Sequence, residues 1–183
     1  MTETLKVALL GGGTVGSQVA RLLTENADDF AARAGAGLEL VGVAVRDVTK
    51  SRPGIDDSLL TDDPMALVTR PDVDLVIEVM GGIEPTRELL LAAMANGASV
   101  VSANKALIAQ DGATLHQAAE DNRVDLYYEA AVAGAIPLLR PLRESLVGDR
   151  VQRVLGIVNP NWEWEHVTSL GGMRGRSAFG DVY

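Results

Sequence analysis

The chain has no cysteine, which excludes disulfides, thiolate nucleophiles and cysteine-bound metals. Its two histidines, His116 and His166, stand too far apart in sequence for metal-ligand spacing. Basic residues are outnumbered and the net charge is -9, so nucleic acid is not an expected partner. No uninterrupted apolar run reaches membrane-spanning length, and the opening MTETLK lacks the apolar core of a signal peptide. These absences predict a soluble cytoplasmic protein without a membrane partner. What remains is ordinary globular composition, 47% hydrophobic and 22% charged over 183 residues. That length suits one domain, or one domain and part of another.

Residues 5–23, LKVALLGGGTVGSQVARLL, organise the rest. Val7-Ala8-Leu9-Leu10 reads as a fully buried parallel strand. Gly11, Gly13 and Gly16 follow in G-x-G-x-x-G spacing, and a helical pattern places Val15, Val19, Leu22 and Leu23 on one side. Gly11 permits a tight turn, Gly13 leaves room for a pyrophosphate, and Gly16 lets the helix approach the sheet. The first N–H groups of the helix and its dipole then favour an anion. The strand before and the helix after supply the context this motif needs, and a glycine turn without a ligand is the alternative.

Further strands are expected over residues 38–45, 74–80, 99–103, 125–132 and 151–158. Helices are expected over 64–69, from Glu84-Pro85-Thr86 through Met94, over 114–122 and over 137–147, with loops over 31–37 and 50–63. This alternation predicts an α/β fold of Rossmann type: a doubly wound, mostly parallel sheet with helices on both faces. Ligands of such sheets bind outside the C-terminal strand ends. The residues gathered there are Gly11 to Gly16, Arg46, Gly81-Gly82, Asn104-Lys105 and Glu129.

Arg46-Asp47 ends the second strand, where an adenosine ribose would lie. A guanidinium there pairs with a 2′-phosphate and an acid with a free 2′-hydroxyl, so NADP is favoured by Arg46 and NAD is the alternative. A charged pair that merely closes a strand would look the same. Lys105, at the end of a buried strand, has the charge to orient a carbonyl or join a proton relay. Read on spacing alone, an exposed, solvated lysine is the safer reading. Glu129 interrupts the apolar run YYEAAVAGAIP and must be paired, hydrogen-bonded or bound to a cation.

The segments LLGGGTVGSQV, VIEVMGGIEPTRELLLAAMANGASVVSANKALIA, LYYEAAVAGAIPLLRPLRESLVGD and LGIVN together resemble homoserine dehydrogenase, from Lys6 to about Asn159. That resemblance implies NAD(P)-dependent interconversion of L-aspartate 4-semialdehyde and L-homoserine, on the route to threonine and methionine, by a homo-oligomer in the full-length family. It implies dinucleotide contacts from Gly13, Thr14, Val15 and Arg46. The set expected at the cofactor is Gly11, Gly13, Thr14, Val15, Gly16, Arg46, Gly81, Ser102 and Lys105, with Lys105 also catalytic. The resemblance further implies a sodium ion held by Glu129 and the main-chain oxygens of Val132, Gly134 and Ile136.

The resemblance stops after Asn159. Where the family continues Gly-Thr-Thr-Asn, this chain reads Pro160-Asn161-Trp162-Glu163-Trp164-Glu165. Residues 1–159 are therefore expected to be an NAD(P)-binding domain and 160–183 a divergent, poorly packed tail. The family's second lysine and substrate-gripping carboxylates have no match, which predicts a truncated chain with trace activity at most. A non-catalytic dinucleotide-binding module and another amino-acid or semialdehyde dehydrogenase are the alternatives.

Overall fold

Val7, Ala8, Leu9 and Leu10 are each fully buried, as the centre of a parallel sheet requires. The computed structural model describes residues 4–132, 134, 136–155, 175–177 and 180–182. Its main sheet contains β1 (Thr4–Leu10), β2 (Gly37–Ala44), β3 (Leu60–Thr61), β4 (Leu75–Glu78), β5 (Ser99–Ser102) and β6 (Leu126–Tyr127). The order is β3-β2-β1-β4-β5-β6 and every pairing is parallel. The chain winds outward from β1 in one direction and then from β4 in the other. The reversal lies between β1 and β4, where open sheets of this kind bind ligands.

Helices α1 (Thr14–Glu25), α2 (Ala27–Ala34), α3 (Pro64–Val68), α4 (Thr86–Ala95) and α5 (Lys105–Asn122) connect the strands. The pleat of β1 divides its side chains between two cores. Ala8 and Leu10 join Leu67 of α3, Leu89 and Met94 of α4 and Leu115 of α5. Leu9 joins Val43 of β2 and Ala20 of α1. Helices therefore cover both faces, and the doubly wound expectation holds.

Several boundaries differ from the sequence reading, each for a local reason. The buried residues of α1 are Gly16, Ala20 and Leu23, while Val15 and Leu22 are exposed. The helix lies so close to the end of β1 that small residues face the sheet. A second helix runs through Ala27–Ala34, into the helix end and loop expected over 31–37, and a two-residue strand, β3, occurs inside the expected loop 50–63. The helix expected over 114–122 begins at Lys105, because the Asn104 side chain caps it by accepting the Leu107 N–H at 3.1 Å. Asp111 breaks that helix with φ -142° and ψ 26°, and its carboxylate accepts the Thr114 hydroxyl at 2.5 Å. The expected start at Thr114 falls just beyond this kink.

The strand expected over 125–132 is only Leu126–Tyr127, and Glu129–Ala131 is a 3-10 turn. The helix expected over 137–147 is a π-helical turn at Pro141–Ser145, where the Leu146 N–H donates to the Pro141 carbonyl at 2.9 Å. Pro141 opens the turn, where its missing N–H would have no partner in an α-helix either. The strand expected over 151–158 is Val154–Leu155 (β7), and it does not join the main sheet. It pairs with β8 (Gly175–Ser177), which pairs antiparallel with β9 (Gly180–Val182). The expectations for Pro160, Trp162 and Trp164 fall outside the described residues.

Candidate functional site

The glycine turn between β1 and α1 meets the ends of β2 and β4 in a cleft of about 570 Å³. Gly11 adopts φ +108°, and its N–H donates to the Ala44 carbonyl at 3.0 Å. A Cβ on Gly11 would stand 3.0 Å from the Met80 nitrogen. A Cβ on Gly16 would lie 1.8 Å from the Gly11 carbonyl oxygen, so no larger residue fits without moving backbone. A Cβ on Gly13 would meet nothing within 4 Å. Gly13 is also the residue before α1 and provides no side-chain cap, which leaves the first-turn N–H groups for a ligand. The three glycines thus hold the positions their spacing predicts.

Arg46 is exposed and lines this cleft. Asp47 faces its own loop: its carboxylate accepts the Thr49 hydroxyl at 2.6 Å and the Thr49 N–H at 3.0 Å, and pairs with Lys50 at 3.1 Å. The Thr49 and Lys50 donors hold the Asp47 pKa at about 2. Of the two charges closing β2, the guanidinium is therefore the one offered to the cleft. Arg52, which the sequence reading passed over, lines it too. Its stem crosses Gly12, whose Cβ would lie 2.8 Å from Arg52 Cδ, and its guanidinium donates to the Asp47 and Lys50 carbonyls at 3.0 and 2.6 Å. Only its place before Pro53-Gly54 marked it in the sequence.

At the ends of β4 and β5, Glu78 has no exposed surface. Its Oε1 accepts the Met80 and Gly81 N–H groups at 2.9 and 2.8 Å, and its Oε2 accepts the Ser102 hydroxyl at 2.6 Å. Ser102, expected at the dinucleotide, is itself fully buried, and its Oγ also accepts the Asn104 N–H at 3.1 Å. In this structure its hydroxyl supports the sheet edge. Asn104 donates to the Gly82 carbonyl at 2.6 Å, and Thr86 donates to the Gly81 carbonyl at 2.8 Å. Gly81 and Gly82 take φ of +73° and +77°, the left-handed region that glycine enters without steric cost. Lys105 follows as the first residue of α5 and is exposed. It stands at the C-terminal edge of the sheet, beyond the residues that line the cleft.

Glu129 lies elsewhere, in a hollow of about 660 Å³ shared with Tyr127, Tyr128 and Arg143. Its carboxylate accepts the N–H groups of Leu138, Leu139 and Arg140 at 2.5, 2.9 and 2.8 Å. Desolvation pushes its pKa up, but the three N–H donors together outweigh it and hold the pKa below the usual range. The residues as folded fit the hydrogen-bonded alternative: three N–H donors face the carboxylate. The arrangement gives no support to a cation with Val132, Gly134 and Ile136.

A parallel sheet, a glycine turn at its reversal point and an uncapped helix start beside an arginine define a dinucleotide-binding domain of Rossmann type. Residues 11–129 match the family model described as homoserine dehydrogenase, NAD binding domain. The chain belongs to the homoserine dehydrogenase family. It is 58% identical to the homoserine dehydrogenase of Corynebacterium glutamicum over 153 residues, covering 84% of this chain and 34% of that protein. It is 40% identical to the Bacillus subtilis enzyme, covering 86% of this chain and 36% of the relative. A crystal structure of a homoserine dehydrogenase from Thiobacillus denitrificans superposes with a TM-score of 0.73 at 41% identity, over 81% of this chain and 35% of that one. The chain thus spans about a third of the length of these relatives.

Proposed function

We infer that this chain is the nucleotide-binding part of an NADP-dependent homoserine dehydrogenase, which interconverts L-aspartate 4-semialdehyde and L-homoserine for threonine and methionine synthesis. The observation that carries the cofactor choice is the pair at the end of β2: Arg46 lines the cleft while Asp47 is committed to Thr49 and Lys50. A 2′-phosphate finds a guanidinium there, and Asp62, which lines the same cleft, is the acid a bare ribose would meet in the NAD alternative. The pyrophosphate lies over Gly13, against the N–H groups of Thr14, Val15 and Gly16. Gly11 shapes the turn, and Gly81 borders the nicotinamide end.

The bound dinucleotide supplies the hydride. Lys105 orients the substrate at the sheet edge, and its positive charge offsets the charge that develops on the substrate oxygen. No step depends on sodium. The reading extends to a cytoplasmic setting, a small-molecule substrate, no nucleic-acid or membrane partner, and homo-oligomers in the longer relatives. No helix among the described residues is long and apolar enough to cross a membrane.

Titration of the purified chain with NADPH and NADH tests the cofactor reading. Tighter binding of NADPH is the expected result, and absence of binding by either overturns it. Homoserine-dependent NADPH formation, lost on Lys105→Ala, tests the catalytic part. Binding with at most trace turnover is what both the truncated-enzyme reading and the non-catalytic alternative expect, whereas turnover at an ordinary enzymatic rate excludes the latter.

A further inference from the structure

A fully buried carboxylate that pairs with no cationic side chain among the described residues demands a reason. Glu78 accepts three hydrogen bonds, and each leads to a different part of the ligand edge. The Met80 N–H bond fixes the peptide that packs on Gly11, where an added Cβ would stand 3.0 Å from the Met80 nitrogen. The Gly81 N–H bond holds the left-handed Gly81-Gly82 turn, whose carbonyls are taken by Thr86 and Asn104. The Ser102 hydroxyl bond continues to the Asn104 N–H, and Asn104 caps the helix that begins with Lys105.

We propose that Glu78 is a positioning residue for the nicotinamide half of the dinucleotide, fixing the Met80–Gly82 turn directly and the start of α5 through Ser102 and Asn104. It touches no ligand. Its two oxygens tie the ends of β4 and β5 to one another at the edge where hydride transfer would occur. The adenosine end, formed by Arg46 and the close of β2, receives no bond from this network. The assignment rests on the cofactor reading above and predicts an effect on one half of the ligand only.

The test uses the whole 183-residue chain. Glu78→Gln keeps shape but reverses one hydrogen bond: its amide donates to Ser102 Oγ, which already accepts the Asn104 N–H. Ser102→Ala cuts the link to Asn104 and leaves the Met80 and Gly81 bonds in place. Each variant, with folding checked by thermal melting, is titrated with NADPH and with 2′,5′-ADP, the adenosine half alone. The expected result is NADPH affinity lowered about tenfold, 2′,5′-ADP affinity changed less than about twofold, and a double variant no worse than the weaker-binding single variant, since both changes act on the one Glu78–Ser102–Asn104 chain of bonds. A general loss of packing would lower both affinities together, and that outcome overturns the assignment. Unchanged NADPH affinity in Ser102→Ala and Glu78→Gln also overturns it. Failure of the unsubstituted chain to bind either ligand overturns the cofactor reading and this assignment with it. Should Glu78→Gln fail to fold, Ser102→Ala alone decides.

Discussion

The carbonyl oxygen of Gly11 lies 1.8 Å from where a Cβ on Gly16 would sit. The turn that leaves β1 and the first turn of α1 are therefore in backbone contact. That contact fixes how the N–H groups of the helix start are presented.

Gly16→Ala is expected to push α1 away from the sheet and destabilise the domain by about 1–3 kcal/mol, the usual range for an overpacked site. Gly13→Val adds more volume into space where an added Cβ meets nothing, at a residue whose φ of -79° accepts a side chain. It is expected to cost less stability yet abolish dinucleotide binding. Denaturant unfolding and NADPH titration of both variants check this; equal loss of stability would contradict it.

Arg46→Ala is expected to weaken NADPH binding by about 1.5–3 kcal/mol, the range for a charge-assisted hydrogen bond. NADH binding should barely change if, as proposed, Arg46 meets only the 2′-phosphate. Parallel titrations of the two nucleotides measure the difference, and an equal loss for both removes Arg46 from the phosphate site.

Glu129→Ala is expected to release the N–H groups of Leu138, Leu139 and Arg140, which the carboxylate now accepts. Faster hydrogen exchange at those amides is the measurement. Because N–H donation holds the Glu129 pKa below its ordinary 4.5, its stabilising contribution is whole above that value and fades as pH falls below it. Exchanging potassium for sodium should leave the melting temperature unchanged; a rise in sodium that Glu129→Ala removes would restore the cation site.

His116 Nε2 and the Tyr128 hydroxyl lie 2.8 Å apart, with their rings edge to face. Desolvation, helped by the Arg143 charge and opposed by Glu120, holds the His116 pKa below its ordinary 6.5. The folded chain therefore favours neutral imidazole. The stability this contributes is complete above the unfolded pKa and is lost as pH falls through the folded one. Urea midpoints should drop between about pH 7.5 and about pH 5.5, and His116→Gln should flatten that part of the curve.

Gly11, Gly13 and Gly16 were legible because backbone geometry makes demands that only glycine meets, and their spacing follows from the turn. The α/β alternation was legible because strands buried on both faces are continuous apolar runs, as in residues 7–10. Glu78 was not singled out, although an acid inside VIEVM carried the same warning as the acid inside YYEAAV. Its partner Ser102 is 24 residues away, a distance at which no periodicity speaks. Glu129 was noticed, but its bonds reach forward to residues 138–140 and bend the chain out of the expected strand. β3 escaped because two residues carry no pattern, and its place depends on pairing with β2.

The open space at Gly13 separates two kinds of selection. Gly11 and Gly16 are enforced by the protein's own backbone, and a lineage that stopped using a nucleotide would still have to keep them in order to fold. A Cβ added to Gly13 would meet nothing within 4 Å. A screen for stability would pass over substitutions there, and only a screen for binding would remove them. Among descendants of this domain, drift at that single position would mark those that had given up the nucleotide while keeping the fold.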